Sequence, residues 1–320
     1  MDYENLINED KIELTFEKIR DFKYGENYQQ QAALYKFENM ADYTVLNDKE
    51  LSFNDIGDIT QAVNIVSEFY DMNCCAIIKH SKPCSCALGT SLYEAYTKAF
   101  DCDPISAFSS VAGFSKKVDV ETAKLLNSTP IKVVIAPDYD EKSIKIFEKN
   151  NEIKLVKLNT SLKDYKLIKN NEISVSPFGI LVQEQNKSEL SKNSFKVVTK
   201  TKPTKEQIED AIFAWKIAKY CKTDSVVIAK DFKSHAISQG FTNTLSAIEQ
   251  ALDFACDNSK DAVLASDTCF QTVDCINSAS QGRIGLIIQP GNSACDKKII
   301  EQCDKYNIVM ITTGITNHLK

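Results

Sequence analysis

The chain is 320 residues long, carries a formal net charge of −6 at pH 7, and is 43% apolar and 26% charged. That length accommodates one large domain or two of ordinary size around a substantial core, with the balance of a globular protein rather than a disordered one. An acidic chain is not a general nucleic-acid binder, because phosphate binding needs clustered basic side chains. No stretch approaches the roughly 20 apolar residues of a membrane span, and the acidic opening "MDYENLINED" lacks the form of a signal peptide. The expectation is a cytoplasmic protein with no membrane contact. Eleven cysteines, an odd number, are scattered through apolar segments (Cys74, Cys75, Cys221, Cys256, Cys303), and no Cys-x-x-Cys pair occurs. Reduced, buried thiols are therefore expected, not disulfides or a structural zinc.

Along the chain, "KYGENYQQQAALY" (23–35) begins as a Tyr-Gly-Glu-Asn turn and runs into an aromatic segment. Short apolar, β-branched runs at 75–78, 132–137, 179–182, 225–230, 262–266, 284–291 and 307–314 predict strands. Amphipathic stretches at 59–72, 91–100, 119–127, 141–149, 204–221, 244–256 and 293–305 predict helices between them. The helix at 204 opens on Thr204 with Gln207 three residues on, the spacing of a capping box. Strands alternating with helices imply an α/β fold with helices covering a sheet. The stretches 151–176 and 184–195 break the alternation and place a boundary near 195. A first unit, 1–195, and a second, 196–320, each contain a strand, a helix and a strand in similar order, without a legible residue-level repeat.

The stretch "AIIKHSKPCSCALG" (76–89) sets Lys79 and His80 at the end of an apolar strand. A histidine titrates near neutral pH and can take a proton from a nucleophile; an adjacent ammonium favours its neutral form and can stabilise an oxyanion. Ligand sites in open α/β sheets lie beyond the carboxyl ends of strands. The plain alternative is a solvated surface pair. A deaminase-type zinc site needs His-x-Glu and Pro-Cys-x-x-Cys. Here His80 is followed by Ser81-Lys82 and the cysteines are Cys84 and Cys86, so no metal is expected. Lys23 offers a charge to a phosphate. "IQPGNS" (288–293) ends a strand and leads into a helix near Ser293, and "ASDTCF" places Asp267 and Phe270 after a strand, where a ring can stack on a flat ligand. No Walker or dinucleotide glycine pattern occurs. These residues alone describe an α/β enzyme for a small ligand, phosphorylated ones among the candidates.

Taken together and in order, "KYGENYQQQAALY", "KELSFNDI", "IIKHSKPCSCALG", "SLYEAYTKAFDCDPISAF", "VVIAP", "VVTKTKPT", "AWKIAKYCKTDSVVIAKD", "ASDTCF" and "IIQPGNS" resemble one family. It is the 5-aminoimidazole-4-carboxamide ribonucleotide (AICAR) formyltransferase half of the bifunctional purine-biosynthesis proteins, matched from about Asp21 onward and without its cyclohydrolase half. The resemblance implies a three-layer αβα, cytidine-deaminase-like fold of two related subdomains without the deaminase zinc. It implies a homodimer with active sites at the subunit interface, and transfer of a formyl group from 10-formyltetrahydrofolate, as co-substrate, to the AICAR amine. His80 would take the amine proton and Lys79 would hold the oxyanion. Lys23, Tyr24, Gly25, Gln29, Ser109, Asp224, Asn243, Phe270 and Thr316 would line the substrate site.

Several of these positions depart from the family pattern. Lys23, Asn243 and Thr316 stand where it has arginines, Gln29 where it has histidine, and Ser109 where it has glycine. Lys82 and Asp224 replace asparagines, Lys132 replaces an acidic residue, and Lys320 a terminal histidine. A lysine gives a point charge without the guanidinium fork, and losing two charged contacts at roughly 1.5–3 kcal/mol each weakens a phosphate clamp by several kcal/mol, unless Lys82, Lys132 or Lys320 compensates. Three readings follow: a diverged AICAR formyltransferase, a paralogue acting on another amine, and a non-catalytic member with a binding or regulatory role.

Overall fold

The first long helix starts where its sequence caps it. The Ser52 side chain accepts from the backbone N–H of Asp55, and the Asp55 carboxylate accepts from the N–H of Ser52, a complete capping box. The computed structural model describes residues 6–37, 39–149, 152–168, 170–190 and 194–320. An antiparallel hairpin, β1 (Glu17–Phe22) and β2 (Ala32–Lys36), precedes strand β3 (Tyr43–Val45) and helix α1 (Phe53–Ser67). A second hairpin, β4 (Asn73–Lys79) and β5 (Lys82–Gly89), leads to α2 (Leu92–Cys102), β6 (Val111–Phe114), α3 (Val120–Asn127), β7 (Val133–Ala136), α4 (Glu141–Phe147) and β8 (Lys154–Leu158). After α5 (Leu162–Leu167), strands β9 (Asn171–Ser176) and β10 (Gly179–Glu184) form a separate two-stranded arm. The chain then runs through β11 (Lys196–Val197), α6 (Lys205–Ala218), the hairpin β12 (Val226–Lys230) and β13 (Lys233–Ser238), α7 (Thr244–Ala255) and β14 (Val263–Ser266). It closes with α8 (Asp274–Gln281), β15 (Leu286–Gln289), α9 (Asp296–Tyr306) and β16 (Val309–Thr312).

Twelve strands form one mixed sheet in the order β11-β16-β15-β14-β12-β13-β5-β4-β6-β7-β8-β3. Read outward from its centre, each half presents the same series. A hairpin comes first (β5-β4, β13-β12), then three mutually parallel strands (β6-β7-β8, β14-β15-β16), then an antiparallel edge strand (β3, β11). The helices recur in step, and so do single residues. Ser52 and Thr204 are the N-caps of α1 and α6, both with capping boxes. Asp58 and Asp210 sit six residues further on, and Lys79 and Lys230 end the next strands.

Successive strand residues face opposite layers, as the pleat requires. Cys74, Ala76 and Ile78 of β4, with Val227 and Ala229 of β12, pack in one cluster with α1 and α6 residues such as Ile65 and Trp215. Cys75 and Ile77 face α2 and α3 with Tyr96 and Leu126, while Val226 and Ile228 face α7 and α8 with Ile248 and Ile276. The result is a layer of α1, α5 and α6, the sheet, and a layer of the remaining helices. Among the described residues, no helix is long and apolar enough to cross a membrane.

Several expected boundaries move. The helix placed at 59–72 begins at Phe53 because Ser52 and Asp55 close its first turn, and the helix placed at 293 begins at Asp296. The stretch 151–176, read as an interruption, supplies β8 to the central sheet through its parallel pairing with β7, whereas the strand at 179–182 belongs to the separate arm. "KPCSCALG", absent from the predicted strands, is strand β5. Its proline is tolerated near the strand start, where the ladder slips: Ile77 pairs with Ser85 and Ile78 with Pro83, so Cys84 is bulged out.

Both halves are joined at the α1 C-terminus by Glu68, which is 6% exposed. It accepts from Lys166 Nζ at 3.1 Å, Lys219 Nζ at 3.2 Å and Tyr220 Oη at 2.8 Å. Burial pushes this carboxyl up, but Lys219, Lys166 and the Tyr220 hydroxyl together hold it below its ordinary value. Removing one member of a buried ion network leaves uncompensated charge. Glu68→Ala is expected to lower the unfolding free energy by about 3 kcal/mol in urea denaturation near neutral pH. The contribution is present above the ordinary carboxylate value and fades as pH falls through the lowered folded value, so the gap between wild type and variant narrows in acid.

Candidate active site

Lys79 and Lys82 pair across the β4–β5 hairpin, leaving His80 and Ser81 as a two-residue turn. Both have φ 55°, the left-handed conformation that a type I′ turn requires at its two central positions. Asp58 Oδ1 of α1 accepts the Ser81 N–H at 2.5 Å. Gly57 permits the close approach, since a Cβ there would lie 2.8 Å from Ser81 Oγ. The Lys79 ammonium turns from the strand end to the Phe108 carbonyl at 2.7 Å, with the Phe108 ring centroid 5.9 Å away. Phe108 is 63% exposed and Ile105 87% exposed, an apolar face beside the lysine. Ser109 has φ 57° and donates its N–H to Pro130 O at 2.7 Å, a conformation suited to the glycine that the family pattern has there.

Two further segments converge on the first turns of α1. The loop between β1 and β2 is closed by Gly25 N–H to Gln30 O at 2.9 Å, and Asn54 Nδ2 donates to Glu26 O at 3.2 Å. Phe22 packs edge-on against Phe53, with centroids 5.8 Å apart. Lys23 and Gln29 are exposed, Tyr24 is half-buried and Gly25 is buried in this loop. From the sheet, Lys132 and Lys154 each reach the buried Asp55 carboxylate at 2.7 Å. Burial pushes Asp55 up, and the hydrogen bonds from Lys132, Lys154 and the Ser52 N–H pull it below its usual value. Lys132 is thus engaged by Asp55.

The remaining predicted residues gather in the second half. Asp224 Oδ1 accepts from Thr268 Oγ1 at 2.7 Å and from Thr244 Oγ1 at 3.4 Å. Asn243 is the N-cap of α7 and accepts the Ser246 N–H at 2.9 Å. Thr316 is exposed, next to the buried Asn317 whose N–H donates to Asp267 O at 3.2 Å. Phe270, expected to stack on a ligand, is instead fully buried in the core; the ring beside Lys79 is the exposed Phe108. The two groups approach through Lys82: Gln239 Nε2 donates to Pro83 O at 2.9 Å, and a Cβ at Gly240 would lie 3.9 Å from Lys82 Nζ. Lys222 Nζ donates to the backbone carbonyl of Lys320. Among the described residues, no group of three or more His, Cys, Asp or Glu is placed to hold a metal ion.

Asp58, Ile105 and Phe108 were not singled out from the sequence. The only signal for Asp58 is its helical phase, three residues after the capping Asp55, and that for Phe108 is an aromatic in a polar loop. A cavity of about 490 Å³ between β2, α1, α5 and the chain end, with Tyr35, Ile59, Asn64 and Tyr165 in its wall, contains none of the predicted site residues.

The family model "AICARFT/IMPCHase bienzyme" matches residues 2–253. The bifunctional purine biosynthesis protein PurH of Acetivibrio thermocellus is 38% identical over 315 residues, covering 97% of this chain and 60% of that protein. The protein of the same name from Petrotoga mobilis is 40% identical over 313 residues with the same coverage. That of Thermoanaerobacter sp. is 38% identical over 329 residues, covering 99% of this chain and 63% of the relative. The chain therefore spans about 60% of the length of the curated relatives it matches.

The bulged Cys84 provides a check on the local electrostatics. Burial first, then the Asp103 carboxylate, pushes its thiol up to about 12 against the opposing pull of Lys79. At pH 8, iodoacetamide is expected to modify the exposed Cys256 at least ~10-fold faster than Cys84, because the thiolate is the reactive form. Peptide mapping by mass spectrometry reads this, and equal rates would contradict the burial of Cys84.

Proposed function

The chain belongs to the AICARFT/IMPCHase bienzyme family, and on that premise we propose that it is an AICAR formyltransferase of purine biosynthesis using 10-formyltetrahydrofolate. The observation that carries this reading is the Lys79-His80 pair held at a rigid, left-handed turn beside the exposed Phe108 face. The amine nitrogen of AICAR attacks the formyl carbon, and His80 accepts the amine proton as the tetrahedral oxyanion forms. Lys79 places a positive charge on that oxyanion, and collapse expels N10 of the folate, which takes up the proton. Phe108 and Ile105 offer the flat apolar face for a ring of the folate. Lys23, Gln29, Asn243 and Thr316 lie at the ribonucleotide end of this reading, with Tyr24, Gly25, Ser109 and Asp224 shaping the walls and Lys82 as the nearest replacement charge.

The repeated element order supports two subdomains, 1–195 and 196–320, of the cytidine-deaminase-like kind, in a cytoplasmic enzyme. The β9–β10 arm supports a homodimer with interfacial sites. Val175 is 80% exposed, Phe178 101%, Ile180 65% and Leu181 66%, on a two-stranded sheet that has too little core of its own. A paralogue acting on a different amine is the second reading, favoured by one observation: Lys132, in place of an acidic residue, is tied to Asp55.

Purified protein with AICAR and 10-formyltetrahydrofolate is expected to release tetrahydrofolate, and His80→Ala is expected to lower kcat by ~100-fold or more. Folate binding without AICAR binding or turnover would move the assignment to another amine. The double substitution Phe178→Asp with Leu181→Asp is expected to convert dimer to monomer in light scattering and to remove activity. A variant that stays dimeric would leave the arm without this role.

A further inference from the structure

We propose that Asp58 is a positioning residue for His80, fixing the turn that carries the imidazole and presenting a carboxylate to the imidazolium formed during transfer. This inference rests on the formyl-transfer reading of the same site. Two adjacent non-glycine residues, His80 and Ser81, hold φ 55°, which costs on the order of 1 kcal/mol each, so the turn needs an outside hold. Asp58 supplies it through the Ser81 N–H, on a helix surface that Gly57 leaves open.

The second half contains the matching device and shows what a purely structural version looks like. There the turn is Asp231-Phe232, with φ 53° and 55°. Asp210 of α6 uses both carboxylate oxygens: Oδ2 accepts the Asp231 N–H at 2.9 Å and Oδ1 accepts the Phe232 N–H at 2.8 Å. At the first turn only Oδ1 of Asp58 is engaged, and among the described residues Oδ2 makes no hydrogen bond. Burial pushes the Asp58 carboxyl up, against the opposing pull of the Ser81 N–H and then of His80. Where Asp210 binds backbone twice, Asp58 binds backbone once, at the residue that follows His80. Other charged groups facing the pair are Asp55 on the same helix, Lys132 beside the sheet and Lys79 of the hairpin, with the neutral thiol of Cys84 beside them. Lys23 and Glu26 are carried by the loop docked on Asn54.

Asp58→Asn keeps an acceptor for the Ser81 N–H and removes the charge; Asp210→Asn makes the same change at the structural turn. Imidazole titration by NMR, with His80 assigned through His80→Gln, is expected to move to lower pH in Asp58→Asn and to stay unchanged in Asp210→Asn. In the formyl-transfer assay, Asp58→Asn is expected to lower kcat by roughly tenfold, with KM for both substrates within about twofold, and to move the acid limb of the kcat profile to lower pH. An unmoved His80 titration overturns the proposal, as do equal kinetic losses in the two variants with an unmoved acid limb. If the wild type transfers no formyl group to AICAR, that result counts against the proposed function alone, and the NMR titration still decides the role of Asp58.

Discussion

The antiparallel contact of β5 with β13 is the constraint on which everything else depends. Lys233 faces Ala87 across it, Leu88 N–H donates to Phe232 O at 2.9 Å, and Cys86 N–H donates to Ser234 Oγ at 2.9 Å. Each half alone would end in an open hairpin edge, with unpaired backbone groups and a Cys- and Ala-rich face in water. Pairing the two edges buries both and makes one twelve-stranded sheet. It also has a geometric consequence. Antiparallel neighbours put the start of one strand beside the end of the other, so the His80 turn at the head of β5 meets the 239–243 loop at the tail of β13. Residues about 160 positions apart in the chain become one neighbourhood because of that single register.

Within that neighbourhood, α1 organises the charges. Its first turns anchor the 23–30 loop through Asn54, the lysines Lys132 and Lys154 through Asp55, and the β4–β5 hairpin through Gly57 and Asp58. The capping box is therefore more than a helix start signal, because Asp55 has one role toward the Ser52 N–H and another toward Lys132 and Lys154. Lys132, a departure from the family pattern, is matched by an acidic partner directly below it. The change of sign is matched locally by the buried Asp55 carboxylate. Lys82 is in the opposite situation, exposed and close to Gly240, which places it at the boundary between the two groups of site residues.

Much of the architecture was legible because local rules and the fold agree. Buried strands such as 133–136, 263–266 and 309–312 are apolar runs, and Thr204 with Gln207 marked the start of α6 in advance. The failures have identifiable causes. β5 carries Pro83 and two cysteines, poor strand propensity that a bulge and two flanking strands override. β13, "KSHAIS", opens on three polar residues and has no apolar alternation, although its burial alternates, so it is decided by its neighbours. The repeated element order was hidden because the shared positions are few, Asp58 with Asp210 and Lys79 with Lys230 among them, and the intervening residues are interchangeable core side chains.

For the site, the sequence by itself determined which residue types were present: an adjacent lysine and histidine, a glycine-bearing loop with Lys23, and Lys23, Asn243 and Thr316 standing where the family pattern has arginines. Those are properties of single positions and their neighbours, and spacing reveals them. Only the tertiary structure decided which of them meet, that Phe270 is sealed in the core while Phe108 lies open, that Lys132 is held by Asp55, and that Asp58 stands behind the His80-Ser81 turn. Burial, ion pairing and left-handed turns depend on groups brought together by sheet register over many tens of residues, and no local pattern encodes that register.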